Sequence, residues 1–136
     1  VFKNEFKDSP YIHIGTFDIE SGYQLMKEAI NKGLAESYLI ASDAMAIGAL
    51  KALHESNLKV PRDVGIIGFN DILQSSYTIP PLTTIKVFKD YMGEKAVKLL
   101  LEQISGRKIY EKVLIQTKLI IRESTRMKEW KNMLRI

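Results

Sequence analysis

An α/β fold, a parallel sheet sandwiched by helices, is what this sequence predicts, and three observations carry the prediction. Two apolar runs, residues 38–41 and 64–69, are continuous rather than alternating, the pattern of strands buried on both faces. Strand and helix patterns then alternate in steps of about 25 residues, which is the rhythm of βαβ units with right-handed crossovers. Each apolar run also ends abruptly in small polar residues, Ser42-Asp43 after the first and Asn70-Asp71 after the second. In an open parallel sheet that is where ligands sit, in the crevice beyond the carboxyl ends of the strands.

Taken in order, residues 11–17, YIHIGTF, form an apolar run closed by a glycine and an aromatic, and predict a first strand. A helix is expected over residues 21–33, with Ser21 suited to cap its start and Gly33 to end it. Leu25, Met26, Ala29 and Ile30 fall on one face, so this helix is amphipathic. The second strand, residues 38–41, gives way to DAMAIGALKALHESN, where Asp43 stands at an N-cap position and Ala46, Ile47, Leu50 and Leu53 follow at helical spacing. Gly48 and Ala49 are small enough for another element to approach closely. Pro61 breaks the linker before the third strand, residues 64–69.

Residues 70–77 read as a short helix or turn, closed by Ile79-Pro80-Pro81, whose prolines keep the chain extended. A strand over 82–87 and a helix over 89–105 come next; Met92, Leu99, Leu100 and Ile104 give that helix a wide apolar face, and Gly106 stops it. Residues 112–122, KVLIQTKLIIR, are rich in β-branched side chains and predict one or two strands. In the last segment, RMKEWKNMLRI, Met127, Trp130, Met133 and Leu134 lie near helical spacing.

Composition narrows the function. With 136 residues the chain suits one domain with a real core, and 46% hydrophobic and 26% charged residues are ordinary for a soluble protein. The absence of cysteine removes thiol catalysis, disulfides and cysteine zinc sites. No apolar run approaches a membrane span, so no membrane partner is expected. The opening VFKNEFKDSP lacks the apolar core of a secretion signal, which favours the cytoplasm. Val1 is not a natural start, so the chain is expected to begin mid-protein or after processing. The net charge of +4 is spread over lysines along the chain, with a denser basic tail at 125–136; dispersed lysine is ordinary solvated surface rather than a nucleic-acid footprint.

Catalytic devices are thin, and an enzyme is not expected. His13 and His54 lie far apart in sequence with no carboxylate pattern around them, whereas acid–base chemistry needs a positioned partner. GIIGFN has neither dinucleotide-binding spacing nor a P-loop lysine, and no HExxH or carboxylate ladder offers a metal site, so neither cofactor nor metal is expected. Binding is better served. Asp43 reads either as a helix cap or as a ligand contact, and Asn70-Asp71 either as an Asx turn or as ligand groups. Convergence favours a ligand: Phe17, Ser42 and Asn70 each stand just beyond a predicted strand, and a parallel sheet brings them together. One aromatic ring with uncharged hydrogen-bonding side chains suits a hydroxylated or planar small molecule.

SDAMAIGAL, LKVPRDVGIIGFND, PPLTTIK, the helix with MGEKAVKLLL, and LIIREST, in that order, resemble the lac/gal repressor family of bacterial transcription regulators over most of the chain. The resemblance implies one lobe (residues 1–124) of a type I periplasmic-binding-protein-like domain, whose helix 89–105 crosses to an N-terminal lobe absent from this chain, as is the DNA-binding helix-turn-helix. It implies an effector, a sugar first and a nucleobase second, held by Phe17, Ser42 and Asn70; relatives commonly carry Asn and Asp at the last two positions. It further implies a homodimer through Ala46, Ile47, Leu50, Gln74 and Tyr77, and operator DNA bound by the upstream domain. Without its lobe, helix 89–105 is expected to fold back or pair with another chain. A transporter's solute-binding protein with the same lobes is the alternative function, and a small α/β enzyme using the same cleft a further one.

Overall fold

The computed structural model describes residues 12–125. Three helices are present among them: α1 (Ile19–Lys32), α2 (Asp43–Glu55) and α3 (Lys89–Ile104). The strands are β1 (Ser37–Leu39), β2 (Gly65–Asn70), β3 (Thr83–Lys86) and β4 (Lys118–Ile120), hydrogen-bonded in the order β1-β2-β3-β4. β1, β2 and β3 are parallel, as the βαβ rhythm predicts, but β4 runs antiparallel to β3, with Lys118 opposite Lys86. The sheet is therefore mixed. The chain leaves at the carboxyl end of β3 into α3 and re-enters at that same end, so the strand it then forms has to run the other way.

α2 packs on β2, and α1 packs on α2. The core lies between them: Ala46, Leu50 and Leu53 of α2 meet Ile66, Val64 and Leu82, with Met26 and Ala29 of α1 closing the outer side. Alanines and glycines at the helix contact permit a very close approach. A Cβ added to Gly22 would stand 2.1 Å from the Met45 carbonyl oxygen, and one added to Gly48 would stand 1.9 Å from that of Ile19. The first turns of the two helices thus press backbone to backbone, which the smallness of Gly48 and Ala49 anticipates for one partner only.

Several boundaries differ from the sequence expectation for local reasons. Residues 12–17 form no strand, because Thr16 turns its N–H to the Ser21 hydroxyl and its own hydroxyl to Asp18, taking these groups out of any ladder. α1 accordingly starts at Ile19 with Asp18, not Ser21, as its cap, accepting from the Ser21 N–H at 2.7 Å. β1 is a short edge strand rather than a fully buried one; Leu39 is 66% exposed on the face turned away from α2. Of residues 112–122 only 118–120 are strand, since no neighbour pairs with the rest.

α3 keeps its apolar face in the open. No residue of it is buried, and an open groove of about 860 Å³ lined by Gly93, Val97, Leu101 and Arg107 runs beside it. Within this chain the helix does not fold back on the lobe, one of the two arrangements expected of it. The basic tail after Thr125 and the periodic residues Met127 to Leu134 lie outside the described residues. No helix among the described residues is long and apolar enough to cross a membrane.

Candidate functional site

The rim at the carboxyl ends of β1 and β2 is built by strand register. Leu39 pairs with Ile67, and the Ile40 N–H donates to the Ile67 carbonyl at 2.8 Å; continuing that register sets Ser42 opposite Asn70. Neighbouring strands lie about 4.8 Å apart, so the two residues share one edge. Asn70 also pairs with Lys86 at the end of β3, which adds a half-exposed ammonium to the same rim. Phe17 arrives by a different route. It stands two residues before α1, whose first turn is locked onto that of α2 through Gly22 and Gly48, and its ring is 73% exposed. The structure therefore brings Ser42 and Asn70 together through the sheet, and Phe17 to that end of the lobe through helix packing.

Ser42 is buried, and its hydroxyl oxygen accepts from the Ala44 N–H at 3.2 Å: Ser42, not Asp43, is the N-cap of α2. In that role the hydroxyl acts as an acceptor and keeps its own proton to donate. The two helix starts, capped by Asp18 and Ser42, are packed against each other. The Thr16 hydroxyl, and then the Ser21 amide, hold the Asp18 carboxyl below the usual carboxylate range, so it is charged.

Asp43 is neither cap nor rim. It is wholly buried in the first turn of α2, where Oδ1 accepts from the Thr84 hydroxyl at 2.6 Å. Oδ2 accepts from the Ser75 hydroxyl at 2.6 Å and the Ile72 N–H at 2.9 Å. This one carboxylate fastens α2 to β3 and to the short 3₁₀ turn Leu73–Ser76. Its seat exists because residue 68 is glycine: a Cβ there would lie 2.1 Å from Oδ1. Sequence reading singled out Asp43 but missed its partners Thr84 and Ser75, which sit 41 and 32 positions away and carry no local signal.

The expected subunit-interface residues separate. Ala46 and Leu50 lie in the core of the lobe and have almost no surface to offer a second subunit, which corrects that expectation for both. Ile47 is half-buried, whereas Gln74 and Tyr77 are exposed, Tyr77 by 77%. Leu73 and Ile79, also exposed, extend the same surface around the 3₁₀ turn. Among the described residues, no group of three or more His, Cys, Asp or Glu is placed to hold a metal.

The model of the periplasmic binding protein-like domain matches residues 4–125. The chain is 49% identical over 115 residues to the HTH-type transcriptional repressor MelR of Bacillus subtilis, covering 84% of this chain and 33% of that protein. It is 42% identical over 116 residues to the HTH-type transcriptional regulator GalR of Lacticaseibacillus casei, covering 82% and 35%. This chain belongs to the lac/gal repressor family. It spans about a third of the length of those relatives and corresponds to part of the family's periplasmic-binding-protein-like ligand domain. Among solved structures, the lac repressor dimer bound to operator and the anti-inducer ONPF superposes with a TM-score of 0.77 at 36% identity, over 82% of this chain and 39% of that one.

Proposed function

We propose that this chain is one lobe of the effector-binding domain of a bacterial transcriptional repressor, and that Phe17, Ser42 and Asn70 hold a small polyhydroxylated effector against the opposite lobe. The observation that supports it best is the register of the parallel strands β1 and β2, whose continuation levels Ser42 with Asn70 at their carboxyl ends. A sugar is the favoured effector: an exposed aromatic face and uncharged polar groups match its apolar faces and hydroxyls. A nucleobase-like ligand stands second. The relatives' names as repressors and regulators favour binding over turnover and a cytoplasmic site of action on DNA. The effector selects one angle between the lobes, and differential affinity of about 1–3 kcal/mol for the two angles alters the spacing of paired DNA-binding domains on the operator.

Two further parts belong to this reading. The exposed face of α3 docks on the missing N-terminal lobe, which accounts for its apolar, unburied surface. A second subunit docks on the surface of Ile47, Gln74 and Tyr77, extended by Leu73 and Ile79. Isothermal titration of the intact protein with galactose, melibiose, glucose, adenine and hypoxanthine tests the effector. One of the sugars is expected to bind, Asn70→Ala to weaken it at least tenfold, and the same sugar to change operator affinity in a mobility-shift assay. Binding without any change in DNA affinity would instead favour a solute-binding protein. Sedimentation of Tyr77→Glu is expected to show monomer where the wild type is dimer; an unchanged dimer sinks the interface assignment.

A further inference from the structure

Asn70 and Asp71 are two successive non-glycine residues with positive φ, +109° and +55°, a conformation L side chains rarely adopt. A turn of this kind persists only where its surroundings hold it. The Asp71 N–H is poorly placed to do so, 3.4 Å from the Thr84 hydroxyl oxygen. The carboxylate is held far better: Arg122 Nη2 donates to Asp71 Oδ1 at 2.7 Å, with the two side chains 20% and 12% exposed. Lys86 adds a looser approach of 3.8 Å to Oδ2. Arg122 is itself fixed to β3, since its Nη1 donates to the Leu82 carbonyl at 2.8 Å and its backbone N–H to the Thr83 hydroxyl at 2.9 Å. The guanidinium therefore bridges a rigid strand on one side and the strained turn on the other, which a lysine ammonium does not reproduce.

We propose that Arg122 is a positioning residue for the effector cleft: through Asp71 it holds the turn that keeps Asn70 at the rim. The proposal rests on the reading of Asn70 as a ligand contact and names what sustains it. Arg122 is not itself part of the hydrophobic core and reaches it through the Leu82 carbonyl, so its loss is expected to be felt at that carbonyl and at the turn rather than across the lobe.

The test uses the intact protein and two substitutions, Arg122→Gln and Asp71→Asn, the second as a near-isosteric alternative should the first fold poorly. Hydrogen exchange read by mass spectrometry is expected to accelerate at least tenfold in peptides covering 70–74, with peptides from α2 unchanged. With galactose as the probe and hypoxanthine as the second, each substitution is expected to weaken binding about tenfold. Combining either with Asn70→Ala should then cost no more than Asn70→Ala alone, because both losses pass through one side chain. Arg122→Lys is expected to recover part of the affinity. Faster exchange spread over the whole lobe, unchanged exchange at 70–74, or losses that add to that of Asn70→Ala would overturn the proposal. If no probe binds the wild type, the effector reading fails, and the exchange result alone decides whether Arg122 holds the turn.

Discussion

Replacing Gly22 by alanine tests the helix contact that brings Phe17 and Ser42 to one end. The new Cβ would stand 2.1 Å from the Met45 carbonyl oxygen, 2.5 Å from its Cα and 2.6 Å from its carbonyl carbon. Ordinary van der Waals contact begins near 3.4 Å, so α1 has to move by about 1 Å, and all three obstacles are backbone atoms with no rotamer to yield. Overpacking of this kind costs about 1–3 kcal/mol, and rigid partners place Gly22→Ala at the upper end, about 3 kcal/mol. With a urea slope of about 1.5 kcal/mol/M, the unfolding midpoint should fall by about 2 M. Gly93→Ala in α3 is the matched control. Nothing in this chain lies within 4 Å of its Cβ, so within the lobe only helix propensity changes, a gain of about 0.5–1 kcal/mol, and a net loss in the intact protein would report the N-terminal lobe docked on that face. Urea unfolding of the intact protein, followed by tryptophan fluorescence and circular dichroism, measures both. Equal midpoints for Gly22→Ala and wild type would refute the claim that these first turns are in backbone contact.

Asp43→Ala strands the Ile72 N–H and two hydroxyls in a dry site and should cost about 3–5 kcal/mol in the same unfolding assay. Asp43→Asn keeps the Ile72 bond, because the Thr84 hydroxyl can rotate to accept, and should cost less than half as much; equal losses would show that the carboxylate hub is misassigned. Ser124→Ala leaves the Ile66 carbonyl and the Thr83 N–H without the buried hydroxyl that joins them, and about 2–3 kcal/mol of stability should go. Asp63 sits at about pKa 2, held down by the Arg62 guanidinium and the Lys59 N–H, and Asp18 is also depressed from 3.8. A depressed folded-state value means their stabilisation is complete above the ordinary 3.8 and is lost as pH falls below it, for Asp63 toward about 2. Carboxyl NMR titration should find the Asp63 midpoint near 2, and Asp63→Asn should flatten the acid limb of stability; a midpoint near 3.8 would contradict the observed bonding.

Composition, the continuous apolar runs and the abrupt polar residues after them were sufficient to determine an α/β lobe and to mark its strand ends as the candidate site. Those features are legible because each rests on local physics: helical or extended periodicity, capping chemistry, and the breaker residues Gly33 and Pro61. Ser42 and Asn70 became candidates for the same reason, since each closes an apolar run in the sequence; in the structure β1 ends three residues before Ser42, and Asn70 is the last residue of β2. What only the tertiary structure decided involves partners far apart in the chain. Whether Asp43 caps a helix or ties three elements together depends on Thr84 and on the missing side chain at Gly68, neither visible from position 43. Ala46 and Leu50 share helical spacing with Ile47, and their burial was settled by where β2 and α1 came to rest. The reversal of β4 followed from the end of the sheet at which the chain returned, and the Arg122–Asp71 bridge from the meeting of segments 51 positions apart. Periodicity states that a side chain faces something; only the packed chain determines what it faces.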